Sequence, residues 1–569
     1  MTVTLERLLS WDPTALGGAA DALAGRRQTL LALQDEMDDG APPPGWGGPA
    51  AGAARRTHGR LLDGLGDVVA EVAAVVTALD DAAESLGAAR ADLDEVLGLA
   101  RGQGYDVDVS TGAVVDPESV SDAGAAGERS ILAAEIEDRI EQALRTAAHA
   151  DAELAGLLDR AARGALDGGP DLAASAQDGA DAGRRDLLAP PEEARPGDAA
   201  GWWAGLTDGE RTRVLAEHPE WVGNLDGIPG GVRDEANRSL IDDYRAELEA
   251  EAARLREDLA DNVFGSLFTD ADDRLAEVEG KLAGLDAVEA TLARGGRQLL
   301  VLDPHDGDQL LAAVAVGDVD AADHVAVFTP GLDTTVGASL RGYDADMAAL
   351  AQRAADEAER YGTGGTVATV AWLAYRAPQL DGSVLDVLGD ERTSVASAQL
   401  AQRGGADLAE FLRGINASRE HDPHLTALGH SYGSTTTGYA LAEPTGVDDA
   451  AVFGSPGLGT SDAGYLAVPE GNLYRVEAKG DPVADLGRFG IDPSHLEGVR
   501  GLSAEEAALT GDDGCTLYSE STGHSGYLDA SSTSQHNLAA VVGGAGDRLV
   551  YDDGRGAGDV LSWPVPGTY

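Results

Sequence analysis

The sequence predicts an α/β protein: a mostly parallel, eight-stranded sheet with helices on both faces, preceded by a long all-α region. Three observations carry this reading. Apolar stripes at helical spacing fill the first part of the chain, and short apolar runs alternate with helical stretches from Arg297 onward. An acidic stretch rich in Gly, Pro and Ala separates the two patterns.

The 569 residues exceed what one ordinary core needs, so two or three compact regions are expected. The chain is 43% hydrophobic but only 5% aromatic, with 75 glycines, so Ala, Val and Leu must build most of the interior. A formal charge of -58 repels phosphate backbones and anionic headgroups, which argues against nucleic acid and membrane surfaces as partners. Cys515 is the single cysteine and can form no internal disulfide. The first thirty residues lack an apolar segment after a basic start, and no run of about 20 apolar residues occurs, so no membrane-spanning segment is expected. The default location is cytoplasmic, with export that uses no cleaved signal as the alternative.

Within residues 14–39, Leu16, Leu23, Leu30 and Met37 recur every seven positions, one stripe of a helix. Pro42-Pro43-Pro44-Gly45-Trp46-Gly47-Gly48 ends it, because successive prolines lack amide hydrogens and glycines cost helix entropy. Beyond this break Leu65, Val68, Val72, Val75, Leu79, Ala82, Leu86, Ala89, Leu93 and Val96 step by three and four in a coiled-coil seam. The two stripes should face each other in an antiparallel hairpin. A further helix is expected over Glu128–Ala165, on Ile136, Ile140, Ala143, Ala147 and Leu154.

Residues 1–166 thus read as a helical hairpin region, and 167–199 as an acidic flexible linker too poor in large apolar side chains to fold alone. Residues 200–296 read as a helical connecting segment, with two long charged helices over 235–294 separated near Phe264–Thr269. There Thr207-Asp208-Gly209-Glu210 is a capping box, and Trp202, Trp203 and Trp221 are expected as aromatic anchors that dock helices onto a neighbouring domain, with the lining of a ligand groove as the alternative. Residues 297–569 hold the sheet. Its expected strands are Leu299–Leu302, Leu311–Val316, His324–Phe328, Val367–Leu373, Leu425–Leu428, Ala450–Phe453, Leu473–Ala478 and Thr516–Ser519.

Gly429-His430-Ser431-Tyr432-Gly433 follows the fifth run and precedes a helical segment. A serine on such a strained strand-to-helix turn projects its hydroxyl from the sheet, and its neighbours must be small. That hydroxyl needs a base to remove its proton and a carboxylate to orient the base. Asp481 follows the seventh run, with Asp485 and Asp492 as substitutes; His524 follows the eighth, with His495 and His536 as rivals. Ser431, Asp481 and His524 are therefore the candidate catalytic residues. The amides of Tyr432 and Leu332 are candidate oxyanion donors, the second from the loop Thr329-Pro330-Gly331-Leu332. His421 and His424 suggest no metal site, since no third ligand is evident. No phosphate-cradling Gly-x-x-x-x-Gly-Lys-Ser/Thr occurs, so no cofactor is expected.

Phe328-Thr329-Pro330-Gly331, the Ser431 turn, Phe453-Gly454-Ser455-Pro456-Gly457, Gly480-Asp481-Pro482-Val483 and Gly523-His524-Ser525 together make residues 297–545 resemble an α/β-hydrolase family typical of actinobacteria. The turn and the Gly-Asp-Pro are also similar to cutinase-like esterases. The resemblance implies an α/β-hydrolase fold and a Ser-Asp-His triad and leaves the substrate unnamed. Cleavage of a small carboxylic ester is the first reading of that machinery. Amide or thioester hydrolysis is the alternative. The hairpin with Trp46-Gly47-Gly48 at its turn resembles the small helical proteins exported by type VII secretion. That resemblance implies a helical protein partner and, as a third reading, an exported interaction protein with an auxiliary hydrolase domain. The chain departs from that family's pattern after the second helix, where a Tyr-x-x-x-Asp/Glu export signal should stand but Tyr105 is followed four residues on by Val109.

Overall fold

The computed structural model describes residues 3–43, 45–117, 123–184, 186–261, 271–379, 391–419, 421–484, 489–511 and 514–552. They fall into two units, Met1–Ser119 with Leu132–Ala216, and Val120–Ile131 with Glu217–Tyr569. Among the described residues no helix is long and apolar enough to cross a membrane.

In the first unit α1 (Leu5–Ser10) leads into α2 (Pro13–Asp39) and α3 (Pro49–Gly102). Pro49 opens α3 at a position whose amide would be unsatisfied anyway. Trp46 is 44% exposed at the turn. On α3 the expected seam is buried from Leu79 through Val96, whereas Val68 is exposed and Leu65, Val72 and Val75 are half-buried. A short ribbon, β1 (Asp106–Val107) with β2 (Val114–Val115), precedes α4 (Ala123–Ala162). Ile136, Ile140, Ala143 and Ala147 of α4 share a core with Leu86, Leu93 and Val96.

The stretch expected as a flexible linker instead carries α5 (Leu172–Gly183), capped by the Asp171 carboxylate on the amides of Ala173 and Ala174. It lies on α3 so closely that a Cβ at Gly179 would stand 2.2 Å from the Ala70 carbonyl oxygen, and one at Gly183 2.4 Å from that of Ala74. Counting large apolar side chains misses this helix, because bare backbones in contact exclude water without them. In α6 (Pro196–Ala204) Trp202 is fully buried and its indole N–H donates to the Leu188 carbonyl at 2.8 Å. At the start of α7 (Asp208–Glu217), the Glu210 amide donates to Thr207 Oγ1 at 3.2 Å and the Thr207 amide to Glu210 Oε2 at 3.0 Å, the reciprocal box its sequence implies.

The second unit opens with α8 (Gly230–Asp261) and α9 (Ala271–Leu292), which pack on each other; the expected break near Phe264–Thr269 lies outside the described residues. The strands are β3 (Arg297–Asp303), β4 (Leu311–Val316), β5 (His324–Thr329), β6 (Val367–Leu373), β7 (His424–His430), β8 (Asp449–Phe453), β9 (Leu473–Val476) and β10 (Arg500–Leu502). They pair in the order β10-β9-β8-β7-β5-β6-β4-β3, parallel except where β4 meets β3 and β6. This is an α/β fold with a mostly parallel eight-stranded sheet.

Period-two alternation sends Ala326 and Phe328 of β5 to one face and Val325 and Val327 to the other. The first face is covered by α8, α9, α10 (Val336–Tyr361) and α13 (Thr533–Val542), through Leu285, Leu340, Met347 and Leu538. The second is covered by α11 (Glu391–Ala417) and α12 (Tyr432–Leu441), through Leu408, Phe411, Leu412 and Leu441. Burying one side chain of the size of Phe328 contributes about 1.5–3 kcal/mol, so these two layers hold the sheet.

The eighth strand is not the one expected. Thr516–Ser519 lies outside the large sheet: β12 (Gly514–Tyr518) pairs with β11 (Ala507–Gly511) in a separate antiparallel hairpin, where Leu517 is 64% exposed. The sheet edge is the three-residue β10, whose single large apolar side chain, Leu502, is too little to read as a strand.

Candidate active site

Three strand ends position the site. At the carboxyl end of β7 the chain turns sharply into α12, and Ser431 takes φ 55° and ψ -131°. A side chain at positive φ is strained, so the surroundings must hold it there. The Ser431 amide donates to the Phe453 carbonyl of β8 at 3.0 Å, and Ser434 Oγ donates to the Ser431 carbonyl at 2.5 Å. Space is as tight as the turn: a Cβ at Gly433 would lie 2.2 Å from the Thr329 carbonyl oxygen.

Asp481 lies in the loop beyond β9 with its side chain fully buried. His524 is half-buried beyond the β11–β12 hairpin. His524 Nε2 is 2.7 Å from Ser431 Oγ, and Nδ1 is 3.0 Å from both carboxylate oxygens of Asp481. Asp481 also accepts from the Val483 amide at 2.9 Å and the Tyr527 hydroxyl at 2.6 Å. Burial would raise the carboxyl, but the hydrogen bonds from His524, Tyr527 and Val483 outweigh it and hold Asp481 below the usual carboxylate range. The carboxylate therefore stays charged and faces the imidazole.

The loop after β5 reaches the same point. A Cβ on Gly331 would stand 2.7 Å from Ser431 Cβ, so only glycine allows this approach. The Tyr375 hydroxyl donates to the Pro330 carbonyl at 2.5 Å, and the Asp333 amide donates to Pro378 at 3.0 Å, which pins the backbone around Leu332. The buried Tyr432 ring stacks on Tyr375 at 6.4 Å and meets Phe489 edge-on at 5.6 Å, fixing the first turn of α12. Of the two candidate oxyanion donors, Tyr432 follows Ser431 directly, and Leu332 follows Gly331, the residue whose backbone approaches Ser431.

The rivals are engaged elsewhere. His536 is buried in α13, with Nε2 on the Arg548 carbonyl at 3.0 Å and Nδ1 3.3 Å from Glu357. His495 is exposed, and Asp492 caps a short turn by accepting from the Ser494 amide at 2.7 Å. Asp485 lies outside the described residues. At the opposite end of β7, His424 donates from Nε2 to Asp449 at 2.7 Å, while its Nδ1 faces His324 Nδ1 at 3.1 Å and the Val542 carbonyl at 3.2 Å. His421 is exposed. Among the described residues no group of three His, Cys, Asp or Glu is placed to hold a metal ion.

Two contacts were not read from the sequence. His430 donates from Nε2 to the His524 carbonyl at 2.8 Å and stacks on Phe453 at 5.2 Å. Its enclosure among these rings, and the neighbouring His524, push its imidazole down to about 4, so it is neutral at physiological pH. Tyr527 braces Asp481. The available signals were a histidine immediately before the serine and a tyrosine three positions after His524, neither of which specifies a contact across about 45 to 95 residues of chain.

A family model described as Alpha/beta hydrolase matches residues 303–491, which include Ser431 and Asp481 and stop before His524. An uncharacterized protein of Mycobacterium bovis is 36% identical over 240 residues, 41% of this chain and 86% of that protein. The chain belongs to the alpha/beta hydrolase family. An uncharacterized protein of Mycobacterium tuberculosis is 30% identical over 397 residues, 64% of this chain and 58% of its own length. The chain thus spans somewhat more than half the length of that longer relative. No solved structure matches at a significant level.

Proposed function

We propose that the chain cleaves carboxylic esters through an acyl-enzyme on Ser431. The observation that carries this is the chain of contacts from Ser431 Oγ through His524 to Asp481, at 2.7 and 3.0 Å. His524 Nε2 accepts the hydroxyl proton as the oxygen attacks the ester carbonyl. Asp481, charged and buried, keeps Nδ1 protonated and stabilises the imidazolium. The tetrahedral oxyanion is held by the Tyr432 and Leu332 amides. As it collapses, His524 returns its proton to the departing alcohol, and in the second half activates water against the acyl-serine. The proximity of Gly331 to Ser431 supports the Leu332 assignment, because it brings that loop's backbone within reach of the reacting carbonyl.

The test is a panel of aryl esters of graded acyl length, run with aryl amides and thioesters and with a fluorophosphonate probe. Turnover of esters and probe attachment at Ser431, both lost in Ser431→Ala, are expected. Attachment at another serine would overturn the assignment, and turnover confined to amides or thioesters would overturn the substrate class.

For the N-terminal hairpin, the exposed Trp46 at its turn supports a separate role in pairing with a helical protein partner. Loss of a co-purified helical protein from Trp46→Ala would support this; a partner list unchanged by the substitution would remove it.

A further inference from the structure

Tyr527 lies in the short turn Gly526–Leu528 and is 1% exposed. Its hydroxyl makes two hydrogen bonds whose directions chemistry fixes. The Ala478 amide, 2.9 Å away, can only donate, so the phenol oxygen accepts there. Asp481 Oδ2, 2.6 Å away, can only accept while ionised, so the phenol proton goes to it. The same Oδ2 faces His524 Nδ1 at 3.0 Å.

We propose that Tyr527 is a positioning residue that fixes the Asp481 carboxylate and tempers its charge, and so lowers the proton affinity of His524. The proposal rests on the assignment of Ser431, His524 and Asp481 made above. Each donor placed on a carboxylate disperses its negative charge. Less charge then faces Nδ1–H, the imidazolium is stabilised less, and a larger share of His524 is neutral and able to take the serine proton. Burial, and after it the Asp481 charge, push Tyr527 ionisation far above the usual phenol range, so the proton remains on the hydroxyl. Among the described residues, titratable groups around the pair include His430, which donates to the His524 carbonyl, Glu477, held by Arg475 at 3.0 Å, and Lys479, whose carbonyl accepts from the Gly523 amide at 3.3 Å.

The test uses the 569-residue chain with ¹⁵N-labelled imidazoles. The His524 signal is assigned by its loss in His524→Ala, and its titration is followed beside the pH profile of kcat/KM. Tyr527→Phe keeps the ring and removes both bonds. The His524 midpoint should rise by about 0.5–1 unit, and the acid limb of kcat/KM should move up with it. 3-Fluorotyrosine at position 527, a stronger donor that keeps both bonds, should move both downward; it decides the matter by sign if the phenylalanine variant does not fold. An unmoved midpoint in either folded variant, whatever the loss of turnover, would make Tyr527 a filler of space and overturn the proposal. A shifted midpoint in a protein that cleaves no ester would uphold Tyr527 and overturn the ester reading alone; robust ester cleavage with a fixed midpoint would do the reverse.

Discussion

One strand, β7, carries a histidine–carboxylate contact near each of its ends, about 20 Å apart by strand rise. Near its carboxyl end His524 meets Asp481 at 3.0 Å, and at its amino end His424 meets Asp449 at 2.7 Å. The pairs differ in what the second ring nitrogen faces. His524 Nε2 looks at a serine hydroxyl on a strained turn; His424 Nδ1 looks at another imidazole and a backbone carbonyl. A paired histidine is therefore no mark of chemistry in itself. The group that completes it, and the end of the sheet it occupies, decide what it can do.

The lower pair also has its own proton arithmetic. His324 Nε2 must donate to the Gly364 carbonyl at 2.9 Å, which leaves its Nδ1 as an acceptor. His424 then satisfies all its partners only with both nitrogens protonated. Burial would lower its pKa, but the hydrogen bond and charge of Asp449, with Asp448, outweigh this and raise His424 above the ordinary histidine value.

The largest effect that could break the contrast is at the serine. Ser431→Ala should lower kcat by up to about 10⁶-fold in a fold unchanged by circular dichroism. Next come the two carboxylates: Asp481→Asn should cost roughly 10⁴-fold in kcat, Asp449→Asn less than about tenfold. Comparable losses in steady-state assays would mean that both ends of β7 serve the reaction. Gly433→Ala tests the turn without touching a reacting group. Its Cβ has no room beside Thr329, so a loss of about 1–3 kcal/mol in urea unfolding is expected, with a drop in kcat as Ser431 shifts.

A smaller effect sharpens the lower pair. Because His424 holds its proton more tightly folded than unfolded, its stabilisation is complete below the ordinary histidine value near 6.5 and is lost as pH rises through the higher folded value. Urea midpoints should fall across that window, and His424→Gln should flatten the slope; an unchanged slope would show that the pair holds no extra proton. Smallest of all, His495→Ala, at an exposed position, should change kcat less than about tenfold.

Much of this was legible because the signals are local. Seven strands announce themselves as apolar runs, and Ser431 and Asp481 stand just beyond two of them; His524 follows the run that lies outside the large sheet, and the structure nonetheless brings the three side chains together. The exceptions have physical causes. Strand β10 has too few apolar residues to register, α5 is held by backbone contact rather than by side-chain volume, and His430, Tyr527 and Tyr375 act through contacts that only the folded chain creates. The hairpin containing Thr516–Ser519 has a strand's composition but an exposed edge-like place, which composition does not encode.

The bond from the Ser431 amide to the Phe453 carbonyl places the strained turn inside the sheet's own ladder, between two central strands. Fraying at the surface cannot release it. Relaxing that one residue requires prying β7 from β8, an opening as costly as losing the core itself, so amide exchange at Ser431 belongs with the slowest protons of the fold. The Ser431 turn is thus held by the sheet's own ladder, and heat should extinguish the site and the sheet at one temperature rather than in succession.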